Sequence, residues 1–496
     1  MKKISQTYFD ETVRSNMELF DLSMDDAVEE SVKTFKMEGV DLSEIVKDMV
    51  KYEGGHPCVL AIKNLESFTE IPTDSHQLLD YVQYLKSPSN SDFAVRKVLI
   101  SMNAVNILLN LFDMYFLVGD YSVCALLLNA LSTVITGHSY AVNEEHIKKL
   151  VNMLLKLIDE LDRSTLEKSH FVLIAAVYQT LHLSCTKNEK NRALISQTQA
   201  VTQTIHLLKK LGEIQNNMAS DVFYPTLKES CAFLRSLTVD DDLDVEFGLG
   251  SENARSIAKS DSCLEVFINL ISNILNASNV NGISDLFQTL SAIITREELC
   301  TKFASLDGIN ILMKTIYYNI KSISIVSSGL MLLQALCGSD ACKRSVGSWS
   351  MHDTSGPQLI IDVFEDYIKS PIVTKYVAGV IAAVTLRQPD LAKSLVSSGA
   401  AIYLTKTLDL HLSNATTVRT VCRAIRNCVA RAPELQSTFL ASDCGIDTGL
   451  EKLLNSALKI PACYDDAKAA LRDLNCAVEL HEPWKGQLKS VVIDSG

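Results

Sequence analysis

A chain of 496 residues is too long for one hydrophobic core, so it divides into several domains or extends as an array. Hydrophobic residues make up 47% of it and exclude wholesale disorder, while only ten prolines and twenty glycines favour long helices over a sandwich or barrel. A net charge of −13 repels phosphate backbones, so nucleic acid is not expected as a partner.

The first expected element is an acidic helical module over residues 1–50. Residues 1–53 hold thirteen acids against seven bases, yet apolar residues recur at helical spacing. Phe9, Val13, Met17 and Phe20 share one face of a first helix, and Val28, Val32 and Phe35 share one face of a second. Ser23 and the acids behind it can cap that second helix, and Gly39 can end it. Leu42, Ile45, Val46 and Met49 predict a third, shorter helical piece. Residues 51–73 read as a connector, with breakers at Gly54-Gly55-His56-Pro57 and Ile71-Pro72-Thr73 around a short helix near 59–68.

From residue 74 to 480 the pattern is helix after helix. A small-Leu pair or close variant recurs in apolar stretches: Ala130-Leu131, Thr180-Leu181, Phe233-Leu234, Thr289-Leu290, Ala335-Leu336, Ala383-Val384, Ala424-Ile425 and Ala470-Leu471. The steps are 50, 53, 56, 46, 48, 41 and 46 residues. That rhythm marks a helical repeat array of about eight units. The clearest unit has three helices: a polar one (188–196), an apolar one (205–211) and an anchor helix (227–237). In two units a glycine, Gly308 or Gly399, precedes the middle helix, where it permits a sharp turn. Three helices per unit is the armadillo pattern, with two-helix HEAT units as the alternative. The expected fold is therefore all-α, an armadillo-type right-handed superhelical solenoid with an acidic helical module in front. Residues 240–262 predict a loop or loop-helix insertion, residues 339–357 an irregular connection, and residues 481–496 a C-terminal tail.

Thirteen cysteines are scattered singly with no Cys-x-x-Cys, so buried, reduced thiols are expected and no zinc site. The charge-free stretch 121–143 carries Asn129, Ser132, Thr133 and His138 and coincides with an anchor, so it predicts a buried helix and no membrane span. No phosphate loop, nucleophile elbow, zinc-protease or dinucleotide motif occurs, and the histidines are dispersed. Neither an enzyme nor a cofactor or metal is expected.

Arg419, Arg423 and Arg426 stand at i, i+4 and i+7 on one anchor helix, while Val418, Val421, Ile425 and Val429 form its buried face. Arg235 and Arg472 hold the position of Arg426 on other anchor helices. Such a guanidinium row can clamp carboxylates of an extended partner segment. The opposing reading is a solvated, salt-bridged face. Import adaptors of this fold hold basic peptides with groove asparagines and tryptophans. Here only Asn427 fits that position, the chain has two tryptophans, and the N-terminal module is acidic, so an import adaptor is rejected. The acidic module either caps the first repeat or competes with partners for the arginines. Asp240, Asp241 and Asp242 resemble a calcium loop, but Val245 and Ser251 stand where that loop needs Gly and Glu. They are expected to cap the next helix or to meet a basic partner.

Three groups of strings resemble the animal armadillo repeat-containing protein 6 family. The N-terminal one includes Ile4-Ser5-Gln6, Phe9-Asp10, Val13-Arg14 and Gly39-Val40-Asp41-Leu42-Ser43. The C-terminal one includes residues 466–474, Cys476 and Trp484. Between them, Leu234-Arg235, Asp240-Asp241-Asp242, Phe247-Gly248 and Ile425-Arg426-Asn427 also look like that family. The resemblance implies a cytosolic armadillo solenoid without established enzymatic activity. The expected function is a non-catalytic scaffold or adaptor that binds other proteins through an acidic extended segment. It is expected to be monomeric, free of nucleic acid and membrane, and cytosolic with the nucleus as a second location. The alternative is an enzyme or chaperone-like protein whose site forms across repeats.

Overall fold

The computed structural model describes residues 2–52, 55–71, 76–86, 92–161, 167–215, 218–260, 262–277, 280–441, 448–481 and 488–491. The chain divides into two compact units, residues 1–253 and 254–496.

The first unit opens with the helices α1 (Gln6–Phe20) and α2 (Met24–Met37). Ser23 accepts a hydrogen bond from the Asp26 amide at 3.2 Å, Asp25 and Asp26 sit in the first turn, and Gly39 leaves the helix with φ +71°. Phe9, Val13, Ala27 and Phe35 form a small core. Phe20 does not join it: as the last residue of α1 it is 65% exposed. The expected third helix is also absent. Leu42, Ile45 and Val46 are buried from irregular backbone, and only a 3-10 turn, Met49–Lys51, follows. Their spacing is helical, but Val40–Asp41 (β2) pairs in parallel with Lys2–Lys3 (β1) and keeps the chain extended there. Glu44 pairs with Lys97 at 2.6 Å and Lys47 with Asp92 at 3.9 Å, so the module leans on α5 (Phe93–Ser101) and its cap.

A helical pair, α3 (Pro57–Glu66) and α4 (His76–Leu85), leads into the repeats. Thus α3 packs as part of a first, incomplete repeat. Three-part units follow: α5, α6 (Ala104–Leu117) and α7 (Tyr121–Ile135); a 3-10 turn (Ser139–Ala141), α8 (Glu144–Leu161) and α9 (Lys168–Ser184); then α10 (Glu189–Ser196), α11 (Ala200–Ile214) and α12 (Ser220–Ser236). The third helices stack in sequence, α4 on α7, α7 on α9 and α9 on α12. Polar stitches accompany the apolar contact. The hydroxyls of Ser132 and Thr180 meet at 3.0 Å, and Thr226 donates to the Phe171 carbonyl at 3.3 Å.

A short helix, α13 (Gly250–Lys259), begins at the end of the first unit. In the second unit the repeats continue with α14 (Cys263–Asn276) and α15 (Ile283–Ile293), then α16 (Glu297–Ser305), α17 (Gly308–Tyr318) and α18 (Ile323–Leu336). Next come α19 (Asp340–Ser348), α20 (Gly356–Asp366) and α21 (Pro371–Thr385), then α22 (Pro389–Ser397), α23 (Ala400–Leu410) and α24 (Ala415–Val429). The last repeat is α25 (Gln436–Ala441), α26 (Leu450–Ala457) and α27 (Tyr464–Asp473). Here α15, α18, α21, α24 and α27 form the stack. Residues 339–357 are more regular than expected: α19 buries Cys342, Lys343 and Val346, and a hairpin of Ser350–Met351 (β3) with Thr354–Ser355 (β4) leads into α20. An antiparallel pair, Val478–His481 (β5) and Leu488–Val491 (β6), closes the chain; Trp484 lies outside the described residues.

Every repeat anchor falls on a third helix. The second residue of each pair is buried throughout, whereas Ala335 is exposed and Ala383 half-buried. The two glycine turns work differently. Gly399 has φ +110°, the left-handed conformation expected of it. At the other turn the left-handed residue is Asp307 (φ +62°), and Gly308 is needed because a Cβ there would lie 2.5 Å from the Phe303 ring. Asn103 (φ +65°) and Ser262 (φ +53°) hold the matching position before α6 and α14.

Candidate functional site

Helix α24 starts from Asn414, whose side chain accepts from the Thr417 amide at 3.1 Å. Its inner face buries Val418, Val421, Cys422, Ile425, Cys428 and Val429. Arg419, Arg423 and Arg426 therefore stand on the outer face, toward α27. That helix supplies two aspartates. Arg419 Nε donates to Asp466 at 2.9 Å and Arg423 Nη2 to the same carboxylate at 3.3 Å. Arg426 Nε lies 3.5 Å from Asp473, to which Arg472 donates at 2.7 Å. Four guanidiniums thus share two carboxylates, an excess of two positive charges.

The two carboxylates are sunk, with side chains 14% and 15% exposed, while the arginine side chains are 42–59% exposed. Burial works against ionisation of Asp466, but the hydrogen bonds from Arg419 and Arg423 outweigh it and hold its carboxyl below the usual range. Exposed pairs of this kind contribute under about 1 kcal/mol each. They draw Arg419, Arg423 and Arg472 up against the two carboxylates, with Arg426 alongside. Each guanidinium has five donors; Arg419, Arg423 and Arg472 spend one or two on an aspartate and Arg426 approaches one at 3.5 Å, so donors remain on the exposed side of the row.

Asn427 does not join this row. Its side-chain amide donates to the Ala382 carbonyl at 2.8 Å, which stitches α24 to α21. Arg235 lies half-buried on α12 in the first unit.

The acidic run after α12 has inward partners that sequence reasoning missed. Arg192, on α10, is fully buried. It donates from Nε to Glu189 at 2.7 Å, and from Nη1 to Asp241 at 2.6 Å and the Cys185 carbonyl at 2.8 Å. Asp242 accepts from the Glu189 amide at 2.8 Å, filling a donor at the start of α10. Asp240 accepts from the Gly250 amide at 2.9 Å and so caps the following helix, α13, as expected. Glu189 in turn accepts from the Leu249 amide at 2.8 Å. A Cβ on Gly248 would run into the Asp240 carboxylate. The available signal was a run of acids with no neighbouring base in sequence; its cation sits 49 residues earlier.

Other ionisable groups are structural in their bonding. His138 lies 3.0 Å from the Tyr140 hydroxyl and 3.1 Å from the Phe93 carbonyl, and His146 bonds Asn106 at 2.8 Å. Among the described residues, no group of three or more His, Cys, Asp or Glu is arranged to hold a metal. A cleft of about 340 Å³ lies between α17 and α19, lined by Asp307, Asn310, Ser345, Ser348, Trp349 and neighbours. Its one ionisable side chain is Asp307, which accepts from Asn310 at 2.9 Å. Among the described residues no single helix is long and apolar enough to cross a membrane. The bent pair α5 and α6 passes by composition, but Leu99, Leu108 and Phe112 are buried in the repeat core.

Stacked three-helix units with left-handed turns between their first and second helices define an armadillo-type repeat protein. Searches place the chain within that class. It belongs to the armadillo repeat-containing protein 6 family: the ARMC6 family model matches residues 61–493, and the armadillo repeat-containing protein 6 N-terminal domain matches residues 1–63. Armadillo repeat-containing protein 6 of Homo sapiens is 27% identical over 500 residues, covering 98% of this chain and 93% of the human one. The homologue of Drosophila melanogaster is 28% identical over 491 residues, covering 98% of both chains. Among solved structures, the designed armadillo repeat protein YIII(Dq)4CqI aligns with 15% identity and a TM-score of 0.42, covering 54% of this chain and all of the designed one. A structure from work on a phosphorylation switch in the interaction between cadherin and beta-catenin aligns with 13% identity and a TM-score of 0.45. It covers 86% of this chain and 89% of that one.

Proposed function

We propose that this chain is a non-catalytic interaction scaffold that binds an extended acidic segment of a partner protein across α24 and α27. On this reading it acts as a monomer in the cytosol, with the nucleus as a second location. The observation that carries the proposal is the row of Arg419, Arg423, Arg426 and Arg472, whose charge exceeds that of Asp466 and Asp473 by two. Partner carboxylates would meet guanidiniums already gathered along one line by Asp466 and Asp473. Long-range attraction would speed encounter and weaken with salt. The enzyme reading has less support, because the cleft beside Trp349 gathers one carboxylate and three serines with no histidine, lysine or cysteine among its lining residues.

The test compares affinity capture from native lysate by the intact chain and by an Arg419→Gln/Arg423→Gln/Arg426→Gln variant of unchanged helicity by circular dichroism. The expected result is loss of partners that carry acidic extended segments, with the remaining binding less sensitive to salt. An identical partner set for both chains would retire the arginine row as a solvated face.

A further inference from the structure

Residues 239–249 form a loop that is braced from within and presents large apolar side chains outward among acids. Its bracing side chains are Asp240, Asp241 and Asp242, which bond to Gly250, Arg192 and Glu189. Gly248 lets the chain pass close over Asp240. None of that work involves Leu243 or Phe247, which are 94% and 83% exposed. Val239, Val245 and Leu249 are also exposed. A leucine and a phenylalanine held out in water contribute nothing to the brace, and their presentation on fixed backbone is the arrangement of a docking element.

Charge decides what can cover it. Residues 239–249 contain four aspartates, one glutamate and no lysine or arginine. Arg192 neutralises one of these acids from below. Asp244 and Glu246 are exposed beside Leu243 and Phe247, and among the described residues neither makes an ion pair. Such a loop repels nucleic acid and anionic lipid. We infer that the 239–249 loop is a preorganised docking knob for a second protein, which receives Leu243 and Phe247 in an apolar pocket rimmed by lysine or arginine. None of its residues belongs to the arginine row, and the partner it takes is of opposite charge to the one proposed there.

The experiment places a photo-crosslinking phenylalanine analogue at Phe247 of the full-length chain, irradiates in native lysate and sequences the crosslinked peptides. Competition uses excess unlabelled wild type, Leu243→Ser/Phe247→Ser, or Gly248→Ala, whose Cβ would push on the Asp240 carboxylate that bonds Gly250 and so disturb the brace without removing the apolar side chains. The first variant changes exposed positions only, and its thermal melt should match wild type. The expected result is a recurrent crosslinked segment with at least two Lys or Arg, competed at least tenfold more weakly by either variant than by wild type. Four results would overturn the proposal: diffuse crosslinks that wild type does not displace, equal competition by Leu243→Ser/Phe247→Ser, crosslinks to lipid, or crosslinked segments that are acidic.

Discussion

Arg192→Met tests the buried brace directly. The Arg192 side chain is 1% exposed and bonds Glu189, Asp241 and a carbonyl at 2.6–2.8 Å. Methionine keeps most of the apolar stem, so the change removes charge more than packing. Glu189, at 9% exposure, then loses its cation in a site that water barely reaches. Removing one member of a buried pair costs about 3–5 kcal/mol. Asp241 is 34% exposed and can rehydrate, which puts the expectation near the lower end, about 3 kcal/mol. The assay is hydrogen exchange at the amides of Leu249 and Lys187, which bond to the orphaned carboxylates of Glu189 and Asp241. A loss of about 3 kcal/mol makes them exchange on the order of 100-fold faster. Adding Glu189→Gln and Asp241→Asn should recover part of the protection, because no unpaired charge remains buried. Less than about threefold acceleration in the single variant would refute the reasoning, and so would equal acceleration at amides throughout α14 to α27.

Gly308→Ala should lower stability by about 1–3 kcal/mol through collision with Phe303. Adding Phe303→Leu should restore part of that, whereas Gly399→Ala should cost more than about 1 kcal/mol through its φ of +110°, with no rescuing neighbour; urea midpoints of these chains check both. Asp466 has a carboxyl held below its unfolded value of about 3.9, so its contribution is complete above that pH and is lost as pH falls toward the folded value. Urea midpoints of wild type and Asp466→Asn should therefore differ slightly at pH 7 and draw together as pH falls below the unfolded value, and a constant gap would contradict the assignment. Burial pushes the thiols of Cys124, Cys185, Cys342 and Cys428 up to about 12. At pH 8 iodoacetamide should leave all four unlabelled in the native chain and label them in denaturant; rapid native labelling would show them open to solvent.

Much of the fold was legible because burial leaves a periodic trace. The anchor pairs mark all eight third helices of the complete repeats, and α10, α11 and α12 lie where the polar, apolar and anchor stretches placed them. What stayed hidden depends on partners distant in sequence. The helical spacing of Leu42, Ile45 and Val46 was overridden by the pairing of Val40 and Asp41 with Lys2 and Lys3. The left-handed turn before the middle helix was visible at Gly399 but not at Asn103, Ser262 or Asp307, since no sequence pattern distinguishes an aspartate with positive φ from any other. At the candidate site, the arginine stripe and its buried counterface could be read from helical period alone. Asp466 and Asp473 as their counterions could not, because they arrive from the next repeat, 47 residues after Arg419 and 47 after Arg426.

The polar stitches between anchor helices have a consequence for how damage spreads. Ser132 to Thr180, Thr226 to Phe171, and Asn427 to Ala382 each join a repeat to its immediate neighbour. Thr417 adds another such link, to the Pro371 carbonyl at 3.0 Å. An unfolding front that enters one repeat therefore releases the donors and carbonyls of the adjoining helix first, and its effect fades with each seam it crosses. Lesions in such a chain should be local in reach, so that a defect in α21 loosens α24 well before it reaches the β5–β6 end.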